Sequence, residues 1–209
     1  MPLVDVPIPH DDRPLPSRVQ RFLKEADIRV NEALHESHAP AFVPSDYEGV
    51  FRSLRAMVDG PLLRGQRFLE WGSGLGVATS LAAILEFEAH GIETDWTLVE
   101  GARELAEAFD LPVEFVHGSF VPEDGEAKLL AAGDYSWLNT AADYAYDDIG
   151  LEPDDFDIIY AYPWPDEEQA TAQLFHRYAG TGAVLLTYKG GDGFRLRRKV
   201  DPSRKRKRR

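Results

Sequence analysis

Hydrophobic residues recur along this chain with two different spacings, which predict alternating helices and strands. From Ser17 to about Ser37 the apolar positions follow helical spacing, and a second helical pattern runs from Pro44 to a stop at Gly60. Further on, short apolar runs alternate with helical segments; the predicted strands are residues 67–71, 87–93, 113–117, 156–161, 183–188 and 194–200. Strands that alternate with helices predict an α/β fold with a mainly parallel, doubly wound sheet.

Composition divides the chain into three parts. Residues 1–16 contain five prolines and are predicted to form an extended arm rather than a packed element. Residues 17–201 are predicted to form a single domain, with N-terminal helices over 17–60 and an α/β core over 61–201 that ends in a shortened C-terminal strand region. Residues 202–209 form a short basic tail.

One long connection, residues 121–155, is acidic and rich in aromatic residues. Part of it, around 131–146, is predicted to be helical. We expect its aromatic side chains to form a lid over a pocket; they are Tyr135, Trp137, Tyr144 and Tyr146.

Residue composition argues against several kinds of site and location. The chain has no cysteine, which excludes disulfides and thiolate chemistry, and its six histidines lack metal-ligand spacing, so no metal is expected. No apolar run approaches the ~20 residues of a membrane helix. The N-terminus shows no secretory pattern, so we expect a cytoplasmic protein without a membrane partner.

The net charge of −13 is distributed unevenly, because six basic residues lie in 204–209 and the remaining 203 residues carry −19. An acidic body disfavours binding along a phosphate backbone, so nucleic acid is not expected as a partner. The tail is interpreted as a solvated end, with contact to RNA or an acidic partner as the alternative. No pattern predicts an oligomeric state.

The stretch Phe68–Ala83, FLEWGSGLGVATSLAA, reads as a strand, a glycine turn and a helix. Glu70 lies near the carboxyl end of the strand, where open α/β sheets bind ligands. The dinucleotide fingerprint G-x-G-x-x-G is not matched, because Val77 occupies the place of its third glycine. A carboxylate also repels a diphosphate, so a cationic ligand is favoured over NAD; a turn without any ligand is the alternative.

The E-x-G-x-G-x-G pattern of this turn resembles motif I of the class I S-adenosylmethionine (SAM)-dependent methyltransferases. The resemblance implies a Rossmann-like fold, SAM as cofactor and methyl transfer as the activity. SAM carries an ammonium and a sulfonium but no phosphate, which suits an acidic strand end. The cofactor-binding residues implied in motif I are Glu70, Gly72, Ser73, Gly74 and Gly76.

Three further segments extend this resemblance. Glu93, which follows Gly72 by 21 residues, matches the acid that binds the ribose hydroxyls. Ser119 and Phe120 match positions that contact adenine. The segment 42–47 is similar to a loop that closes over the methionine end of SAM in some protein-lysine methyltransferases, which adds Tyr47 to the cofactor site.

Ser45 in that segment has another interpretation, since Ser45 and Glu48 also match a helix capping box. Thr97 and Glu100 match a second capping box at the start of a later helix.

The substrate is expected after the fourth predicted strand, where Tyr162-Pro163-Trp164-Pro165 occupies the position of the [D/N]-P-P-[Y/F/W] motif of many N-methyltransferases. The Asp or Asn is missing and a tryptophan separates the prolines. Tyr162 and Trp164 are therefore candidates for an aromatic substrate wall that favours a cationic, lysine-like amine. The alternative is that Trp164 only packs a helix onto the sheet. No residue stands out as a general base.

Three functions follow from these patterns. A SAM-dependent methyltransferase that acts on an amine, either a protein lysine or a small molecule, is favoured. An NAD-type oxidoreductase is disfavoured by Val77 and Glu70. A non-catalytic SAM-binding scaffold is the third alternative, because the motif after the fourth strand is irregular.

Overall fold

One seven-stranded sheet with helices packed on both faces organises the described residues of the computed structural model, which are 2–35, 42–122 and 143–201. The helices are α1 (Ser17–His35), α2 (Tyr47–Val58), α3 (Val77–Ile84), α4 (Trp96–Glu107), α5 (Tyr146–Ile149) and α6 (Glu168–Tyr178). The strands are β1 (Leu3–Val6), β2 (Arg67–Trp71), β3 (Glu88–Glu93), β4 (Val113–His117), β5 (Ile158–Ala161), β6 (Val184–Tyr188) and β7 (Phe194–Lys199).

The strand order is β1-β7-β6-β5-β2-β3-β4. From β6 to β4 all neighbours are parallel, whereas β7 is antiparallel to both β6 and β1. The predicted mainly parallel, doubly wound fold is therefore confirmed. Because the chain proceeds from β2 to β3 on one side and resumes at β5 on the other, the strand order reverses at β2. Ligands of open α/β sheets bind at such a reversal.

Alternating side chains of the central strands supply two cores, one on each face of the sheet. Leu69 and Ile159 belong to a core that α6 covers, while Phe68 and Ile158 belong to a core covered by α2 and α3. The near-continuous apolar sequences of β2 and β5 follow from this, because strands buried on both faces need apolar residues at successive positions.

The N-terminal residues are more structured than their proline content predicts. Leu3–Val6 pairs with β7, from Leu3 opposite Lys199 to Val6 opposite Leu196, and Asp5 forms an ion pair with Arg195 at 2.7 Å. The prediction of an unpacked arm was therefore wrong for this segment. The C-terminal strand region was predicted to be shortened. Its last strand, β7, pairs along its outer edge with β1 from the other end of the chain.

Residues 11–14 are held on α2 by hydrogen bonds from two arginines. Arg55 donates to the Asp11 carboxylate and to the carbonyl of Pro14, and Arg52 donates to the backbone carbonyl of Asp11 at 2.9 Å. Arg13 also donates to the Asp11 carboxylate, at 2.8 Å. These contacts bury the Asp11 side chain.

Both predicted capping boxes are replaced by aspartate caps. The Asp46 carboxylate, rather than Ser45, accepts the backbone N–H of Gly49 at the start of α2. At α4 the cap is Asp95, which accepts the N–H of Thr97 at 2.8 Å. Aspartate competes well with serine and threonine as an N-cap.

The predicted aromatic lid is not formed by the two of its members that are described. Tyr146 is buried, and its hydroxyl accepts a hydrogen bond from the Trp71 indole at 2.8 Å. Tyr144 donates its hydroxyl to Glu152. Tyr135, Trp137, most of the predicted helix 131–146 and the basic tail 202–209 lie outside the described residues.

No helix among residues 2–35, 42–122 and 143–201 has the length and apolar character needed to cross a membrane.

The Asp11 contacts lead to a stability prediction. We expect Asp11→Asn to lower the free energy of unfolding by about 3 kcal/mol, because it leaves a buried guanidinium without its countercharge. The hydrogen bond from Arg13, and to a smaller extent the one from Arg55, holds the pKa of Asp11 well below its usual range. Its contribution is therefore complete at neutral pH and decreases as the pH falls from the ordinary aspartate pKa of 3.8 toward the lowered pKa of the folded form.

Urea titrations at pH 7 measure this effect. Asp12→Asn is the matched control, because the Asp12 side chain is 82% exposed, and it should change the free energy by less than about 0.5 kcal/mol. Equal effects of the two substitutions would show that the Asp11 contacts contribute nothing specific.

Candidate active site

A cavity of about 500 Å³ opens at the carboxyl ends of β3, β2 and β5, where the strand order reverses. Motif I forms one wall, the segment after β5 forms another, and four residues of the 42–47 segment also line the cavity. Residues distant in sequence therefore meet at the place where the fold is expected to bind a ligand.

The glycine turn of motif I presents bare backbone to this cavity. Gly72, Ser73 and Gly74 line it, and the first two donate their N–H groups to the Ile92 carbonyl at 3.0 and 2.9 Å. Gly74 has φ +53°, and a Cβ there would lie 2.6 Å from the ring of Phe42. A side chain at position 74 would therefore displace the ring that covers the turn.

Gly76 has a different role from the one that motif I implies. It does not line the cavity, and a Cβ on it would lie 2.3 Å from the Phe115 ring. Its φ of +65° is also in the left-handed region that disfavours side chains. Gly76 therefore allows the start of α3 to approach β4.

Glu93 lines the cavity and also holds the glycine turn to the end of β3. Its carboxylate accepts the N–H of Gly74 at 2.9 Å, of Thr94 at 2.7 Å and of Asp95 at 3.0 Å. These bonds fix the position of the Glu93 carboxylate at the turn. The remaining lone pairs of its oxygens are the groups with which it can bind a ligand.

Glu70 is buried at the cavity wall, and one of its oxygens accepts both the backbone N–H of Thr79 at 2.9 Å and its hydroxyl at 2.6 Å. Burial raises the pKa of Glu70 from 4.5 to about 8, although the Thr79 hydrogen bonds oppose the rise; the nearby charge of Glu93 adds to it. A cationic ligand would favour the ionised form.

The segment before α2 lines the cavity and contacts β5. The hydroxyls of Ser45 and Tyr160 are 2.5 Å apart, and both residues line the cavity together with Tyr47. Burial raises the pKa of the Tyr47 hydroxyl well above its usual value, and the charge of Glu70 raises it further. Tyr47 therefore stays protonated and acts as a neutral polar group at the cavity wall.

On the side of β2 toward β3, only one of the two residues predicted to contact adenine lines the cavity. Phe120 lines the cavity and stacks on Trp71, with ring centroids 5.0 Å apart and an interplanar angle of 8°. Ser119 does not line the cavity; its buried hydroxyl accepts the N–H of Val121 at 3.1 Å. Ser119 therefore shapes the turn behind the wall.

On the other side, after β5, lie the two residues that are predicted to form a substrate wall. Tyr162 and Trp164 both line the cavity, and the Tyr162 ring packs against Tyr188 with centroids 4.8 Å apart. Trp164 is 36% exposed, so it presents an aromatic surface in addition to any packing of the following helix.

Sequence reasoning missed several lining residues, among them Asp95, Tyr160 and Glu167. Tyr160 was assigned to a core strand, although a tyrosine in the strand Ile158–Ala161 was a signal for a polar contact at its carboxyl end. Glu167 was interpreted only as a carboxylate at a helix start. It is buried, with 5% exposure, and lines the cavity.

The electrostatic character of the cavity is acidic. Four acidic residues line it, namely Glu70, Glu93, Asp95 and Glu167, and none of the described lining residues is Lys, Arg or His. No three histidine or carboxylate side chains within the described ranges are placed to bind a metal ion. The cavity is therefore suited to a cationic organic ligand and poorly suited to a phosphate.

Solved structures that resemble this chain in fold include methyltransferases, whereas no protein-family model and no curated protein matches the sequence. The chain resembles a methyltransferase from Geobacter sulfurreducens with a TM-score of 0.54 and 15% identity, over 89% of this chain and 99% of that one. This likeness shows that the chain has the Rossmann-like methyltransferase fold, as motif I predicted.

Two further structures are more distant in shape. An O-methyltransferase from Bacillus cereus in complex with S-adenosylhomocysteine (SAH) has a TM-score of 0.49 and 20% identity, over 83% of this chain and 66% of that one. A SAM-dependent methyltransferase from Thiobacillus denitrificans in complex with SAH has a TM-score of 0.47 and 21% identity, over 77% and 54%. The chain thus spans 66% and 54% of the lengths of these two proteins.

The raised pKa of Glu70 leads to a prediction about stability and pH. Between 4.5 and about 8, the folded protein holds a proton that the unfolded chain has released. The free energy of unfolding should therefore decrease as the pH rises through this window, by up to about 1.4 kcal/mol per pH unit. Glu70→Gln lacks this titration and should be less sensitive to pH.

Urea titrations from pH 5 to pH 9 test the difference between the two proteins. Glu107→Gln, which alters an exposed carboxylate on α4, is the control and should follow the wild-type profile. Parallel profiles for wild type and Glu70→Gln would mean that Glu70 titrates in the ordinary range.

Proposed function

We propose that this chain is a SAM-dependent methyltransferase that transfers a methyl group to an amine, either a protein lysine or a small molecule. The observation that carries the proposal is the acidic cavity beside motif I, which has no basic residue among its described lining. Both SAM and a protonated amine are cations, and a negative cleft raises the local concentration of each.

The cavity residues fit the parts of SAM. Glu70, on β2, would bind the methionine ammonium, and Tyr47 lies near it on the covering segment. Glu93, at the end of β3, would accept hydrogen bonds from the ribose hydroxyls. Phe120, held by stacking on Trp71, would provide an apolar wall for adenine.

NAD fits the same cavity poorly. Its diphosphate needs free backbone N–H groups or basic side chains, but the N–H of Gly74 is already bonded to Glu93, and those of Gly72 and Ser73 to Ile92. The Glu93 carboxylate would repel the two phosphates. These contacts favour a ligand without phosphate.

When bound, SAM supplies a methyl carbon that is activated by the sulfonium. An acceptor amine that has lost its proton to solvent would offer its nitrogen lone pair to this carbon, and the electron pair of the broken carbon–sulfur bond would stay on sulfur. Such a displacement depends mainly on alignment of the reacting atoms. In this chain the alignment would come from the motif I wall on one side and from Tyr162 and Trp164 on the other.

The acceptor is proposed to be an amine because of the surfaces after β5. Aromatic faces attract ammonium groups through cation–π contacts, and Tyr162 and Trp164 present such faces. The 42–47 segment, which is similar to a loop of protein-lysine methyltransferases, supports a lysine.

Ligand binding is the first test, with calorimetric titration of SAM, SAH and NAD. We expect SAM and SAH to bind and NAD to show no signal. Gly74→Arg should abolish binding, because it strains a left-handed position and displaces Phe42. Gly191→Arg is the control, since this exposed glycine has open space around it and lies outside the cavity. Tight NAD binding without a SAM signal would refute the proposal.

Acceptor identity is the second test, by mass spectrometry of a cell lysate incubated with deuterated-methyl SAM. We expect label on amines in the protein or the small-molecule fraction with wild type and Gly191→Arg, and none with Gly74→Arg. Label on RNA would contradict the amine. SAM binding without any labelled product would support the non-catalytic scaffold instead.

A further inference from the structure

We infer that the carboxylate at the methionine end of SAM is bound by two neutral hydroxyl donors, Ser45 and Tyr47, and that Tyr160 positions Ser45. The inference rests on the proposed SAM binding and adds to it the side chains that recognise the one anionic group of this ligand. It depends on three observations: the charge of the cavity lining, the hydroxyls that lie beside Glu70, and the use of their hydrogens.

The methionine end of SAM carries two opposite charges, because one carbon bears both an ammonium and a carboxylate. Lys, Arg and His side chains form strong charge-assisted hydrogen bonds with carboxylates, but none of the described residues that line the cavity is of these types. An anion removed from water without hydrogen-bond donors is costly. The carboxylate therefore needs neutral donors.

The backbone of the glycine turn does not supply these donors. The N–H groups of Gly72 and Ser73 both donate to the Ile92 carbonyl, and the N–H of Gly74 donates to the Glu93 carboxylate. Each N–H has one hydrogen, so these three groups are already used. The hydroxyl side chains of the lining are the next donors to consider.

Three residues with hydroxyls lie around Glu70, the proposed partner of the ammonium. Tyr160 is the neighbour of Glu70 in the register of β5 and β2, and Ser45 is bonded to Tyr160. Burial, and in addition the nearby charge of Glu70, raises the pKa of the hydroxyls of Tyr47 and Tyr160, so both stay protonated at neutral pH. Because the ammonium and the carboxylate share one carbon, donors beside Glu70 are placed to meet the carboxylate.

The other hydroxyls of the described lining are placed differently. The Thr94 hydroxyl donates to Glu93 at 3.3 Å, at the end of β3. The Ser73 hydroxyl is enclosed by protein atoms, and its Cβ lies next to Gly91 of β3. Tyr162 follows β5 and belongs to the proposed acceptor wall. The donors for a carboxylate beside Glu70 are therefore those of the segment before α2.

The hydrogen bond between Ser45 and Tyr160 has a direction that follows from burial. Tyr160 is 1% exposed, and among the described residues its hydroxyl bonds to Ser45 alone, at 2.5 Å. If Tyr160 did not donate, its hydrogen would be buried without an acceptor, which is costly. Tyr160 therefore donates to Ser45, and the hydrogen of the Ser45 hydroxyl is left for a ligand. Ser45 is partly exposed and lines the cavity.

Tyr47 provides the second hydroxyl hydrogen. A backbone hydrogen bond from Ser45 opposes the rise that burial causes in the pKa of Tyr47. A bond with this effect comes from an N–H donor and uses a lone pair of the hydroxyl oxygen, so the hydrogen of Tyr47 is not used by it. Ser45 and Tyr47 thus offer two O–H donors, which match the two oxygens of a carboxylate.

The first experiment compares SAH with its decarboxylated analogue, in which a hydrogen replaces the carboxylate, by calorimetry. We expect the preference for SAH to decrease about tenfold in Ser45→Ala and in Tyr47→Phe. Tyr160→Phe should decrease it less, because Ser45 keeps its hydroxyl and loses only the bond that orients it. The affinity for the decarboxylated analogue should be the same in all these proteins.

Tyr188→Phe is the matched control, because it removes the hydroxyl of a partly buried tyrosine that does not line the cavity. It should leave the preference unchanged. The ratio of affinities separates carboxylate recognition from a structural effect, since a distorted site would weaken both ligands. An unchanged ratio in both Ser45→Ala and Tyr47→Phe would overturn the inference and would indicate a cation elsewhere in the chain. Absence of SAH binding to wild type would instead refute the proposed function, and this inference with it.

The second experiment uses the analogue of SAH that retains the carboxylate but lacks the amino group. We expect Glu70→Gln to lower the preference for SAH over this analogue, because it removes the charge that attracts the ammonium. Ser45→Ala and Tyr47→Phe should leave this second preference unchanged. Such a crossed pattern assigns the ammonium to Glu70 and the carboxylate to the hydroxyls. An equal loss of both preferences in Tyr47→Phe would contradict a specific role in carboxylate binding.

Discussion

The buried contact between Glu70 and Thr79 is the interaction on which the arrangement of the site depends. It joins the end of β2 to the first turn of α3 through two hydrogen bonds to one carboxylate oxygen. A carboxylate at this depth is costly to ionise, and the start of a helix is one of the few places where backbone N–H groups offset that cost. The glycine turn between β2 and α3 must then be tight. Gly76 permits this tightness by letting α3 approach Phe115.

The cationic and the acidic side chains of this protein have different roles. Several cationic side chains hold the chain to itself: Arg55 binds residues 11–14, Arg198 donates to the Leu62 carbonyl, and Lys199 donates to the carbonyl of Arg177. The acidic side chains of the cavity have a different role, and they lie around the carboxyl ends of the parallel strands. The described cavity lining contains no cationic side chain. No lining charge therefore offsets the negative electrostatic potential of the cavity. Such a field selects cationic ligands before any specific contact is made.

The two sides of the cavity are built in different ways. On the side of β2 and β3, short backbone hydrogen bonds to Glu93 fix the glycine turn, so the geometry is set by main-chain atoms. On the side of β5, aromatic side chains and Glu167 form the wall. Main-chain geometry changes little with sequence, whereas a side-chain wall changes with each substitution. The first side is suited to a constant ligand, and the second is suited to setting specificity.

The sequence by itself determined the elements and part of the cavity lining, because both depend on short-range patterns. The central strands and most helices follow from apolar spacing, and the resemblance of the glycine turn to motif I singled out Glu70, Gly74 and Glu93, which line the cavity. Only the tertiary structure decided the contacts between distant segments. The pairing of β1 with β7 joins the two ends of the chain, and the presence of Tyr160 and Glu167 in the cavity depends on how the segment after β5 packs. The tertiary structure also gave the two glycines different neighbours: a Cβ at Gly76 would meet Phe115, and a Cβ at Gly74 would meet Phe42. Local spacing encodes backbone conformation, but which side chain meets which depends on long-range packing that no contiguous pattern contains.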